Sequence, residues 1–261
     1  MLAVLVRART IHSLVNSPAL LFLACAALFG ASAFAADATA APTAPTMLEI
    51  SPGIYQIGQI RLDQTRHTAT FPGKLNMADG ALEYLLVTTE GATHESLLST
   101  TVQPSDLHFA MLLLGAKGAG LTTPGPDDAA PTQINQEYLK HAAKLKGDSI
   151  QIAVKWKAGA AEKTTPVEDW ITNIDTRKSA PRGPWTYTGS MFHGDRFLAQ
   201  AEGAFASLVT YPAALINNPR KGSDNDLSWE VNTKTVPQVD TAVEIIITLN
   251  PAPDSKPVTT K

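Results

Sequence analysis

Four side chains in the first half of the chain have the chemistry to do work: Glu83, His94, Glu95 and His108. Imidazole and carboxylate together are sufficient to hold a zinc ion or to move protons in general acid–base catalysis. His94-Glu95 resembles the opening of the zinc-protease helix motif, but that motif needs a second histidine one helical turn later, and Leu98 stands there. The flanking residues alternate as in a strand, which predicts His94 and Glu95 on opposite sides of a sheet. A site would therefore have to be assembled by the fold from His94, His108 and Glu83, with Glu95 as a further candidate. His108 lies between Leu107 and Phe109 on an apolar helix, the setting of a hydrogen-bonded core histidine, with Glu95 or a strand carbonyl as its expected partner.

Other stretches offer less. Gly115-Ala-Lys-Gly118-Ala-Gly120 is glycine-rich with one lysine, but it follows a helix and contains no Gly-Lys-Ser/Thr sequence, so it reads as a helix stop rather than a phosphate loop. His193-Gly-Asp195 reads as a turn. No Gly-x-Ser-x-Gly nucleophile elbow occurs. The four tryptophans, Trp156, Trp170, Trp185 and Trp229, could line a sugar or peptide groove, yet their spacing suits core packing better.

The elements that must position these residues begin after an export signal. Arg7 and Arg9 precede the apolar run Pro18 to Phe29, and Ala33-Phe34-Ala35 presents small residues for cleavage, so residues 1–35 read as a secretory signal peptide. An uncleaved anchor and a lipoprotein at Cys25 are weaker readings, the second because Leu23, two residues before the cysteine, is bulky. Losing Arg7 and Arg9 takes the net charge from −3 to −5, and no basic cluster with interleaved aromatics appears, so nucleic acid is not an expected partner. Cys25 is the sole cysteine, which leaves the processed chain without disulfides, thiolate zinc sites, iron–sulfur clusters or a thiol nucleophile. Its stability must come from a core.

Residues 36–46 read as a flexible Ala/Pro/Thr leader, 47–250 as a globular domain, and 251–261 as a tail. Within the domain, Ile150, Ile152, Val154 and Trp156, and again Val243, Ile245, Ile247 and Leu249, recur with period two, the signature of strands with one wet face. Leu82–Thr89 is apolar on both faces and reads as a central strand. Ile54–Leu62 changes its buried face near Gly58, which predicts a bulge, before a turn at Asp63-Gln64-Thr65. Trp185–Ser190 and Arg196–Gln200 are expected to form a hairpin, continued as a meander by Gly203–Tyr211. A buried helix is expected over about 105–114, capped by Ser105, with Leu107, Ala110, Met111 and Leu114 inward and Phe109, Leu112 and Leu113 covered on the other sides. A second, weaker helix is expected over about 133–146. The fold class that follows is β-rich α+β, an antiparallel sheet or sandwich holding one buried helix.

Gly80–Leu98, Leu107–Lys117, Trp185–Ser190, Phe197–Gln200 and Ala214–Asn217 together resemble the YdjY-like domain family over most of residues 49–250. The resemblance implies an exported bacterial protein without an assigned reaction. The expectation is a periplasmic or secreted, non-enzymatic module binding an envelope protein or small ligand, with no cofactor and no membrane span once the signal is removed. The alternative is a metal-assisted hydrolase using Glu83, His94, Glu95 and His108, with a divalent metal such as zinc.

Overall fold

A computed structural model describes residues 46–119 and 145–250. The signal segment 1–35, nearly all of the leader and the tail 251–261 lie outside the described residues, as does the expected helix over 133–146 except Leu145 and Lys146, which carry no helix. All described residues belong to one unit, Ala44–Lys261.

The strands are β1 (Met47–Ser51), β2 (Ile54–Ile57), β3 (Ile60–Asp63), β4 (Thr68–Leu75), β5 (Tyr84–Thr88) and β6 (Ser96–Thr100). Helix α1 (Pro104–Leu113) follows, then β7 (Asp148–Ala158), β8 (Ala161–Pro166), β9 (Ile171–Asn173), β10 (Lys178–Ser179), β11 (Trp185–Tyr187), β12 (Phe192–His193) and β13 (Arg196–Phe197). The chain ends with α2 (Leu198–Glu202), β14 (Ala204–Ser207), β15 (Ile216–Asn217), β16 (Trp229–Val231) and β17 (Ala242–Leu249).

Eight of these close a barrel. β4, β17, β7, β11, β15, β14, β5 and β6 hydrogen-bond in that order, and β6 returns to β4. This corrects the expected open antiparallel sheet or sandwich while keeping the β-rich character. Closure removes the free edges an open sheet would expose, and β5 with β6 and β14 with β15 run parallel. β1, β2 and β3 extend from β4 as an arm, and β8 extends from β7.

The joint lies in β4. Its residues 68–70 pair with β3, whereas Lys74 and Leu75 pair with β6 along the same edge. Pro72-Gly73 marks the change of neighbour. A Cβ on Gly73 would lie 2.6 Å from Ile245 Cδ1 and 3.0 Å from the Ser99 carbonyl oxygen, so only glycine lets β6 and β17 approach β4 together.

The period-two strands hold where expected. Phe71, Ile245 and Val154 stand in register across β4, β17 and β7, and Ala69, Ile247 and Ile152 form the next row. This face is the barrel interior, because Phe71 stacks on Phe205 of the non-neighbouring β14 with ring centroids 6.0 Å apart. Each such buried side chain contributes about 1.5–3 kcal/mol. Trp170, Trp185 and Trp229 are fully buried, so these three serve the core.

Several local expectations are corrected. Gly58 occupies the first position of a two-residue turn between β2 and β3, not a bulge within one strand. Trp185–Tyr187 pairs with β7 and β15, and the hairpin is the shorter Phe192–Phe197. Leu198–Glu202 is helical, and β14 joins β5 and β15 instead of continuing a meander. Helix α1 starts with Pro104 in its first turn after Gln103, so Ser105 is not its cap. Leu107, Ala110, Met111 and Leu114 are buried as expected, but Leu112 is 47 % exposed, leaving one face uncovered. Gly115 and Ala116 donate to the carbonyls of Leu112 and Met111, the paired bonds of a Schellman helix end. The amides of Lys117 and Gly118 both donate to Asp148 Oδ2 at 2.7 Å, so a carboxylate of the chain itself occupies the glycine-rich loop.

Gly73→Ala is expected to cost about 1–3 kcal/mol, read as a lowered thermal midpoint, whereas Lys163→Ala on the exposed β8 should stay within about 0.5 kcal/mol of the parent. Equal losses at the two positions would show that β4 closure is not under this steric control.

Candidate functional site

Parallel pairing between β5 and β6 sets Tyr84 beside Ser96, and so places Glu83 next to Glu95, one residue earlier on each strand. The Glu83 amide donates to the Glu95 carbonyl at 3.0 Å. Thr93–Glu95 forms a single 3-10 turn, not the expected strand, so His94 and Glu95 share a side: His94 Nε2 is 3.6 Å from Glu95 Oε2. His94 is 80 % exposed at its side chain. The Glu83 carboxyl is pushed above its ordinary value chiefly by burial, then by the charges of Glu95 and Asp226, with a hydrogen bond to the Glu95 side chain adding to the rise and His94 opposing it. Burial favours the neutral carboxyl, and the neighbouring negative charges act in the same direction.

His108 is held elsewhere. Its Nδ1 lies 2.7 Å from the Tyr187 hydroxyl, and its ring centroid is 5.0 Å from that of Phe197. Burial lowers its pKa, favouring a neutral imidazole that shares its Nδ1 hydrogen bond with the Tyr187 hydroxyl. The expected partners, Glu95 or a strand carbonyl, are replaced by this phenol. Of the four sequence candidates the fold thus gathers Glu83, His94 and Glu95. Among the described residues no group of three His, Cys, Asp or Glu side chains is arranged to hold a metal ion.

The acidic pair continues into residues that sequence reasoning missed. Tyr84 is pushed far above its ordinary value, first by burial and then by Glu202, Glu95 and Glu83. Its ring meets Tyr211 edge to face at 6.0 Å, and the Tyr211 hydroxyl donates to Glu202 Oε2. Glu202 in turn borders a cavity of 530 Å³, walled also by Thr88, Glu90, Ala92, Gln103 and Gln200. The amides of that wall are oriented: Gln200 Oε1 accepts from the Ser105 amide at 3.1 Å, and its Nε2 donates to Gln103 Oε1 at 2.5 Å. Gly203, at φ +67°, closes the turn after α2 so tightly that a Cβ would sit 2.2 Å from Thr88 Oγ1. Two carboxylates, two amides and a hydroxyl make this a place where a polar or cationic group can exchange water for protein hydrogen bonds. The available sequence signal was Tyr84 adjoining Glu83; Glu202 and Tyr211 lie more than a hundred residues away.

A closed mixed barrel with an arm and a polar cavity at its β5–β14 side defines the class of molecule. The YdjY domain matches residues 60–248, more than half of the chain, and the protein belongs to that family. No curated protein and no solved structure matches it.

Because the Glu83 pKa is raised in the folded state, the unfolded chain loses this proton first as pH rises above the ordinary 4.5, and stability falls in that interval. Glu83→Gln should therefore melt higher than the parent protein near about pH 7, with the gap closing towards about pH 4. A variant melting lower near neutrality, with an unchanged gap in acid, would contradict the raised Glu83 pKa.

Proposed function

We propose that this chain is an exported, non-enzymatic binding module of the bacterial cell envelope, periplasmic or secreted after removal of residues 1–35. The observation that supports this reading best is the 530 Å³ cavity, whose carboxylates Glu90 and Glu202 and amides Gln103 and Gln200 suit recognition of a polar, positively charged group. Glu202 is braced by Tyr211 and Gln200 by Ser105, so the contacts are set before a ligand arrives. Among the described residues no helix is long and apolar enough to cross a membrane.

A second reading, a metal-assisted hydrolase, draws on Glu83 and Glu95, set side by side by the β5–β6 pairing, with His94 alongside. A carboxyl whose pKa is raised by burial can hold a proton for general acid–base work. In this reading a divalent ion such as zinc would use His94 and the two carboxylates, and His108 would stand apart.

A photo-crosslinking residue at Glu90, irradiated in intact cells, is expected to give a discrete adduct that Glu202→Lys removes and that the same label at Lys178 does not produce. Identical patterns at both positions, or no adduct, would defeat the binding module. Zinc approaching one ion per chain in the purified protein, and lost in His94→Ala, would establish the hydrolase reading in its place.

A further inference from the structure

A second cavity, of 290 Å³, opens beside β7 and β8 and is walled by Gln151, Ala153, Thr164, Pro166, Glu168 and Gly183 among others. Its unusual member is Glu168, 3 % exposed. Both hydrogen bonds to this carboxylate fall on one oxygen: Oε1 accepts from Trp185 Nε1 at 3.0 Å and from Arg220 Nη2 at 2.6 Å. Oε2 takes no bond from the described residues. That oxygen is left for a further donor in the cavity that Glu168 borders.

The carboxylate cannot turn away from that space. Arg220 is itself fixed, donating from Nε to the Pro181 carbonyl at 2.6 Å, from Nη1 to Asn218 Oδ1 at 3.1 Å and from Nη2 to the Gly183 carbonyl at 2.9 Å. Its guanidinium carbon lies 4.8 Å from the centre of the Trp185 ring. A buried ion pair is costly unless its remaining lone pairs are filled, and this one keeps an acceptor held ready.

We propose that this cavity is a binding subsite for a small neutral polyol, of the size of one sugar ring, that donates a hydroxyl or amide N–H to Glu168 Oε2. Charge selects the class. Glu168 and Arg220 cancel one another, and Arg182 at the wall is paired with Asp169 at 2.7 Å, so no net charge is left for a charged ligand to neutralise. A cation would meet the Arg182 guanidinium at the wall, and an anion would meet the Glu168 carboxylate. Gln151 and Thr164 offer further polar contacts, while Ala153 and Pro166 present carbon to the apolar face of a ring. The volume lies at the lower end for ligand sites, which suits a single ring. This site is separate from the acidic cavity at Glu202 and uses none of its residues.

Trp185 supplies the reporter, because its indole N–H is bonded to the same carboxylate. In the purified protein, N-acetylglucosamine is expected to shift the Trp185 indole N–H resonance saturably at about millimolar concentrations, with weaker response to cationic glucosamine and anionic glucuronate. Removing the charge of Glu168 would strand Arg220 in the interior, so the variant is Ala153→Leu, which fills the cavity and leaves the ion pair in place. It should fold and lose the shift by at least about tenfold in affinity. No saturable shift with N-acetylglucosamine, an equal shift in Ala153→Leu, or a stronger response to either charged sugar would overturn the assignment.

Discussion

The fork in β4 is the constraint on which the rest of the molecule depends. One strand edge serves β3 along its first half and β6 along its second, with Pro72-Gly73 between them. That exchange turns a long sheet into a closed ring and leaves β1 to β3 as an arm outside it. It requires three strands to crowd one backbone position. The missing side chain at Gly73 meets that requirement, since a Cβ there would collide with both Ile245 and the β6 backbone.

Closure also decides which polar groups become neighbours. Bringing β6 back to β4 aligns it in parallel with β5, and this register sets Glu83 against Glu95. The short β14 and β15 then carry the turns holding Glu202 and Tyr211 towards Tyr84. On another side of the ring, β11 carries Trp185 beneath Arg220 and against Glu168, so that three residues from separate parts of the chain satisfy one another in a nearly dry setting. Both polar regions are by-products of strand order, not of local sequence.

How much of this was legible in the chain depended on the range of the interaction concerned. Val243 to Leu249 and Ile150 to Trp156 were readable as strands because burial on one face leaves a period of two in neighbouring residues. Leu107, Ala110, Met111 and Leu114 were readable as a helix face for the same reason. Leu198–Gln200, expected within a hairpin strand, is instead helical, since the five residues Leu198–Glu202 span too little helix to show their period. His108 was recognised as a partnered histidine, but Tyr187, its actual partner, stands 79 residues away on another element. The Glu168 and Arg220 pair left no local signal at all, the two being 52 residues apart.

By itself, then, the sequence determined membership of the YdjY family, the β-rich character, the position of α1 and the absence of thiol chemistry from residues 36–261. The family follows from the match over residues 60–248, and the rest from composition and from alternation between adjacent residues, which the covalent chain carries with it. Tertiary structure decided that the sheet closes, that two strand pairs run parallel, that His94 and Glu95 share a turn with Glu83 beside them while His108 does not, and that Glu168 meets Trp185 and Arg220 through one oxygen. Those outcomes rest on contacts between residues far apart in the chain, where pairing is chosen by the joint packing of all the strands and by no pattern within any one of them.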